Sequence, residues 1–222
     1  MRPLAVLRPE PGASATVERA RMLGLDAFAL PLFAIEPLDW TVTDVTRFDA
    51  LLLTSANAVR FAGERLRSLQ SLPVHAVGPA TAEAARNAGL NVADVGMGGI
   101  DELLSALPSD LRLLHLCGED RRQPVLSGSQ ITPIPAYRSV AVPGPPGLER
   151  LTGAVVLVHS PRAGQRLAEL APSRQSTLIA AISAAAAEGC GAGWERIAVA
   201  EHPRGDALLS LGARLCEQSQ PK

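Results

Sequence analysis

Short unbroken runs of apolar residues alternate along this chain with longer stretches in which apolar positions recur every three or four residues. Leu4–Leu7, Ala27–Leu30, Ala50–Thr54, Val74–Val77 and Asn91–Val95 have strand length and are bounded by Pro, Gly, Asp or Ser. Ala13–Leu23 has helical spacing closed by Gly24, and further helical patterns begin near Ser55, Pro79 and Asp101. The programme then restarts with strand-like runs at Leu111–Leu116, Ser129–Ile134, Ala154–His159, Thr177–Ile182 and Arg196–Ala200. A strand with one wet face alternates apolar and polar residues, and these runs do not. Both faces must therefore be covered, which predicts parallel sheets joined through helices: a doubly wound α/β fold, built twice with about five strands per half.

The two halves share a plan at the level of single residues. Leu51-Leu52-Leu53 with Ser55 returns as Val156-Leu157-Val158 with Ser160, and Ala76-Val77-Gly78 returns as Ala181-Ile182-Ser183. Asp101-Glu102-Leu103-Leu104 returns as Asp206-Ala207-Leu208-Leu209. Residues 55 and 160, 78 and 183, and 101 and 206 all stand 105 apart, a period too long for a solenoid repeat and suited to a small domain. Two proline-bearing extended stretches, Pro31–Leu38 and Pro133–Val142, interrupt the rhythm and read as crossings between domains. They predict an inserted domain over 38–136 and a discontinuous one made of 1–33 and 141–222, with linker strands at 34–37 and 137–140.

Composition narrows the chemistry. The 222 residues are 47% hydrophobic with a formal net charge of −1, an ordinary globule without the basic surface that nucleic acid requires. Lys222 is the only lysine, which removes Schiff-base and P-loop lysine chemistry. Cys117, Cys190 and Cys216 form no close pair, so they predict buried thiols rather than disulfides or a metal site. No signal-peptide pattern opens the chain, and Leu178–Ala187 is too short to span a membrane, so a cytoplasmic location is expected. The turn after the first strand, Leu7-Arg8-Pro9-Glu10-Pro11-Gly12, is no G-x-G-x-x-G. Gly96, Gly98 and Gly99 read as a loop, and no cofactor is indicated.

Candidate chemistry lies where strands end, because open α/β sheets bind ligands beyond the carboxyl ends of their strands, next to helix N-termini with unpaired N–H groups. Four such turns are matched in pairs across the repeat: Thr54-Ser55-Ala56-Asn57 with His159-Ser160-Pro161-Arg162, and Gly78-Pro79-Ala80-Thr81 with Ser183-Ala184-Ala185-Ala186. For one turn alone, helix capping by Ser or Thr is the plainer explanation. Four turns in matched pairs favour a ligand. Ser160, His159 and Asp206 make no catalytic triad, since adjacent strand side chains point to opposite faces. Glu119-Asp120-Arg121-Arg122 reads as a solvated loop in which Arg121 can reach an anion, and Tyr137, the single tyrosine, adjoins a crossing.

These blocks, read together with Tyr137-Arg138-Ser139, Ile179-Ala180-Ala181-Ile182-Ser183 and His159-Ser160-Pro161-Arg162-Ala163-Gly164, resemble the uroporphyrinogen-III synthase family from Leu4 to about Leu215. The resemblance implies two similar α/β domains joined by a two-stranded linker. It also implies cofactor- and metal-independent cyclisation of hydroxymethylbilane, a linear tetrapyrrole rich in carboxylates, with inversion of its last ring. It implies Tyr137 as the tentative catalytic residue, assisting the departing hydroxyl. Arg8, Ser55, Asn57, Gly78, Thr81, Ser160, Arg162, Ser183 and Ala184 would bind substrate. A monomer open to transient contact with the preceding pathway enzyme is expected. Two positions depart from the family pattern: Leu7 replaces a threonine before Arg-Pro, and Ala186 stands where a hydroxyl would pair with Thr81. Another class stays open, a non-catalytic two-domain binding or sensory module for a small polyanion.

Overall fold

Each apolar run that predicts a strand forms one in the described part of the chain, residues 1–121 and 130–218 of a computed structural model. Ser129, Arg122 and Lys222, which entered the sequence reading, lie outside those residues. The strands are β1 (Leu4–Val6), β2 (Ala27–Ala29), β3 (Phe33–Pro37), β4 (Ala50–Leu53), β5 (Val74–Val77), β6 (Val92–Gly96), β7 (Arg112–Gly118), β8 (Gln130–Ala141), β9 (Val155–Val158), β10 (Leu178–Ala181) and β11 (Arg196–Val199). The helices are α1 (Gly12–Met22), α2 (Ala56–Arg60), α3 (Pro79–Asn87), α4 (Ile100–Ser105), α5 (Pro161–Leu170), α6 (Ala184–Cys190) and α7 (Gly205–Gln218).

The chain divides into two compact units, 1–34 with 140–222, and 35–139. The first carries a sheet in the order β11-β10-β9-β1-β2, parallel at each junction, with Leu4 opposite both Ala27 and Val155. The second carries the order β3-β8-β7-β4-β5-β6, parallel from β8 to β6, with Leu51 opposite Leu114 and Val74. The duplication is visible in the helices: α2 and α5, α3 and α6, and α4 and α7 begin at residues 56 and 161, 79 and 184, and 100 and 205, each pair 105 apart. β7 and β8 complete the sheet begun by β4, whereas the equivalent places beside β9 are taken by β1 and β2 from the start of the chain.

Two expected segments merge. The run ending at Ile134 and the extended crossing after it form one strand of 12 residues, β8. Pro133 and Pro135 lie within it because proline's φ suits extended chain and only a donor is lost. β3 and β8 are hydrogen-bonded neighbours that both cross the division between units, and Leu38 donates its N–H to the Ala136 carbonyl at 2.9 Å.

Apolar residues fill both faces of each sheet, which is why the strands read as continuous runs. In β1, Leu4 and Val6 pack with Val17, Leu157, Leu208 and Leu215, while Ala5, and Leu7 just beyond the strand, face the other way, towards Val156, Val158, Leu167 and Trp194. In β4, Leu51 and Leu53 pack with Leu114, Leu116 and Leu69, and Leu52 faces Leu113, Leu103 and Leu104. Burying each such side chain contributes about 1.5–3 kcal/mol. Trp40 and Trp194, one per unit, are buried with their indole N–H groups donated to the Ala62 and Cys190 carbonyls. α5 and α6 lie very close: a Cβ added at Gly164 would stand 2.8 Å from the Ala186 carbonyl oxygen.

Candidate active site

Parallel strands aim their carboxyl ends, and the helix N-termini that follow, at one edge of each sheet. Among these turns Ser55, Ser160 and Ser183 occupy the residue before α2, α5 and α6 in extended conformation. Their Oγ atoms accept from the Asn57 N–H at 3.2 Å, the Ala163 N–H at 3.2 Å and the Ala186 N–H at 3.3 Å. Each serine therefore caps its own helix, while its hydroxyl proton stays available to another acceptor. Gly78 holds the equivalent place before α3 with φ +84°, a left-handed conformation that glycine alone adopts cheaply, and Pro79 begins the helix. Asn57 accepts from Arg60 at 3.4 Å.

In the unit 35–139 these ends enclose a cavity of about 330 Å³. Thr54, Ser55, Gly118, Asp120, Arg121 and Tyr137 give it polar walls, and Val77 and Ile100 an apolar floor. The Tyr137 phenol is hydrogen-bonded to the Ser55 hydroxyl. Burial pushes its pKa above the ordinary 10, and the Ser55 bond offsets that only in part, so the phenol stays protonated at neutral pH. Its ring leans on Phe61, with centroids 6.4 Å apart. The Tyr137 carbonyl accepts from the Glu119 N–H at 2.8 Å, which ties the start of the β7 tip loop to β8.

A second pair lies beside the first. Thr54 Oγ1 and His115 Nε2 are 3.0 Å apart. Burial, and then the nearby Arg121 charge, lower the His115 pKa to about 4, so the imidazole is neutral under physiological conditions. Burial likewise raises the Cys117 thiol, which points at the Ile134 carbonyl at 3.6 Å.

In the other unit, the guanidinium of Arg8 follows β1 and fits against Gly12, where an added Cβ would stand 2.6 Å from Nε. The Arg162 guanidinium lies over the Phe33 ring, 4.6 Å from its centroid. His159 repeats the behaviour of His115: burial first, then the Arg8 charge, lower its pKa to about 4. Ala184 is the first residue of α6, directly after Ser183.

The structure brings Ser55 and Tyr137 together and adds Arg121 to the same cavity. Thr81 lies elsewhere. It is 5% exposed, turned inward from the first turn of α3, and Ala186 at the equivalent place on α6 is fully buried. The sequence reading had no role for His115 or Gly118. A histidine inside the apolar run Leu113-Leu114-His115-Leu116 was the available signal for the first, since a buried strand seldom carries a titratable group without a partner.

Comparison with known proteins agrees with this architecture. The model of the family described as uroporphyrinogen-III synthase HemD matches residues 14–210. A uroporphyrinogen-III synthase of Chlorobaculum parvum is 31% identical over 101 residues, a stretch spanning 41% of this chain and 41% of that protein. A solved uroporphyrinogen-III synthetase from Helicobacter pylori shares the fold with a TM-score of 0.70, covering 97% of this chain and 100% of its own at 18% identity. A mutant uroporphyrinogen III synthase from the extremely thermophilic bacterium Thermus thermophilus has a TM-score of 0.54, covering 99% of this chain and 100% of its own, also at 18% identity.

Proposed function

The chain belongs to the uroporphyrinogen-III synthase family, whose members cyclise hydroxymethylbilane in tetrapyrrole biosynthesis, and we propose that it performs that reaction chiefly by holding its substrate in one conformation, with Tyr137 as hydrogen-bond donor to the hydroxyl that leaves. The observation that carries this reading is Tyr137 itself: a phenol that is protonated at neutral pH, anchored on Ser55 and facing a cavity shared with Arg121.

The substrate carries many carboxylates, and the only lysine in the chain is Lys222. Helix N-terminal amides, each worth a few tenths to about 1 kcal/mol towards an anion, and arginine forks supply the donors. Ser55, Asn57 and Gly78 in one unit and Ser160, Ser183 and Ala184 in the other are the turn positions assigned to it, with Arg8 and Arg162 as guanidinium partners. Thr81 serves α3 packing more than substrate, given its burial.

Dehydration breaks the bond between the terminal methylene carbon and its hydroxyl, which departs as water with a proton drawn through the Tyr137 phenol. The remaining azafulvene is electrophilic and closes readily by itself, though without inverting the last ring. Holding the substituted carbon of that ring against the methylene makes it attack first, and the resulting spiro intermediate sets the inverted product. Orientation of this kind can supply several kcal/mol of barrier lowering. A phenol of raised pKa is a weak acid but a competent donor to a developing hydroxide.

Among the described residues no helix is long and apolar enough to cross a membrane. The three cysteines are free and buried, which suits a reducing, cytoplasmic setting. The deciding experiment supplies freshly generated hydroxymethylbilane and separates the product isomers. The inverted isomer, uroporphyrinogen III, should dominate. Accumulation of the uninverted isomer alone would leave a polyanion-binding module instead.

A further inference from the structure

Gly118 closes β7 at a buried position directly opposite Tyr137 in the β7–β8 register, where the pairing shifts by one residue. Its backbone does not require glycine, because its φ is not among the positive values that mark Gly78 and several others. What requires glycine is the neighbouring ring. A Cβ built on Gly118 would stand 2.8 Å from Tyr137 Cζ, 3.0 Å from Cε2 and 3.0 Å from the phenol oxygen, its three nearest contacts. Contacts under 3.0 Å force something to move, and here the movable group is a side-chain end rather than backbone. The backbone at 137 is tied by the Glu119 N–H to its carbonyl, so the ring must give way.

We propose that Gly118 is a positioning residue for Tyr137: the missing side chain makes the seat in which the phenol lies against Ser55. The inference rests on the assignment of Tyr137 to the reaction, and it extends that assignment to a residue that need touch no substrate. Any side chain at 118 lifts the phenol off Ser55 into the adjoining cavity, which has room for it. The three atoms nearest to an alanine Cβ here all belong to the Tyr137 side chain, so the strain falls first on that ring.

Because Tyr137 is the only tyrosine of the chain, labelling with tyrosine enriched in carbon-13 at Cζ yields one resonance that reports the phenol's surroundings without reference to turnover. In Gly118→Ala this resonance should move, kcat should fall roughly tenfold or more for lost orientation, and KM should change little. In a Tyr137→Phe background the same alanine should cost far less, the signature of two residues acting through one group. A resonance that stays in place, or an equal kcat loss with and without the phenol hydroxyl, overturns the proposal. A full-rate Tyr137→Phe enzyme would instead remove Tyr137 from the chemistry, and the resonance would still decide where Gly118 puts the ring. Should Gly118→Ala fold poorly, adding Tyr137→Leu should restore folding, and failure to do so also overturns it.

Discussion

The two units are built alike and furnished differently. Paired helices begin 105 residues apart, and the equivalent strands β4 and β9 are followed on one side by the equivalent pairs β5-β6 and β10-β11. Each unit also holds a histidine near its strand ends with an arginine close by, His115 in one and His159 in the other, and each of these imidazoles is driven to about 4. Yet His115 comes from β7 and bonds Thr54, whereas His159 follows β9 and stands at the place equivalent to Thr54 itself. The unit 35–139 adds a tyrosine bonded to its capping serine, while the other sets its guanidinium groups against Gly12 and Phe33. Backbone geometry and polar furnishing are thus separable. The repeat guarantees helix N-termini at both strand-end edges, and the residues added at those edges make the two edges chemically different.

The largest effects should be alike in the two units. Leu52 and Leu157 occupy equivalent places and are fully buried, so Leu52→Ala and Leu157→Ala should each cost about 2–5 kcal/mol by urea denaturation. Trp40→Phe and Trp194→Phe backgrounds allow each unit's remaining tryptophan to report its own transition. A Leu157→Ala loss recorded by Trp40 but not by Trp194 would break the equivalence.

Acid should also strike both. His115 and His159 have folded pKa values below the unfolded 6.5, at about 4, so the stability tied to their neutral forms is complete above pH 6.5 and is lost as pH falls towards 4. The loss is at most about 3 kcal/mol per histidine. His115→Gln should flatten the Trp40 stability profile between pH 6.5 and 4, and His159→Gln the Trp194 profile. Profiles left as steep as before would mean that carboxylates, not these imidazoles, govern the acid limb.

Catalysis should separate the units. Tyr137→Phe should lower turnover by about 10² while leaving both tryptophan transitions in place, because it removes one hydrogen-bond donor and no packing volume. Unchanged turnover would leave the unit 35–139 no more catalytic than its twin. The smallest effects belong to the caps. Ser160→Ala and Ser183→Ala should each cost about 1 kcal/mol of stability, measured by thermal unfolding, and Ser55→Ala should add a turnover loss through Tyr137. A Ser55→Ala enzyme as fast as the parent would show that the phenol needs no serine anchor.

Hydrophobic runs, proline and glycine punctuation and the internal repeat were enough to determine the parallel α/β class, the strands within a few residues and the matched starts of the helices. These features follow from covering two sheet faces and from caps a few residues away, so they are written locally. Only the tertiary structure decided that β8 runs unbroken through Pro133 and Pro135, that Thr81 turns inward, and that the serines spend their oxygens on their own helices. It also assembled the candidate site: Thr54 meets His115 across 61 residues of chain, and Tyr137 meets Ser55 and Gly118 because sheet order brings β8, β7 and β4 side by side. Strand order joins segments whose separation along the chain carries no local signal, and that is the physical reason the contacts of the candidate site were hidden until the fold was known.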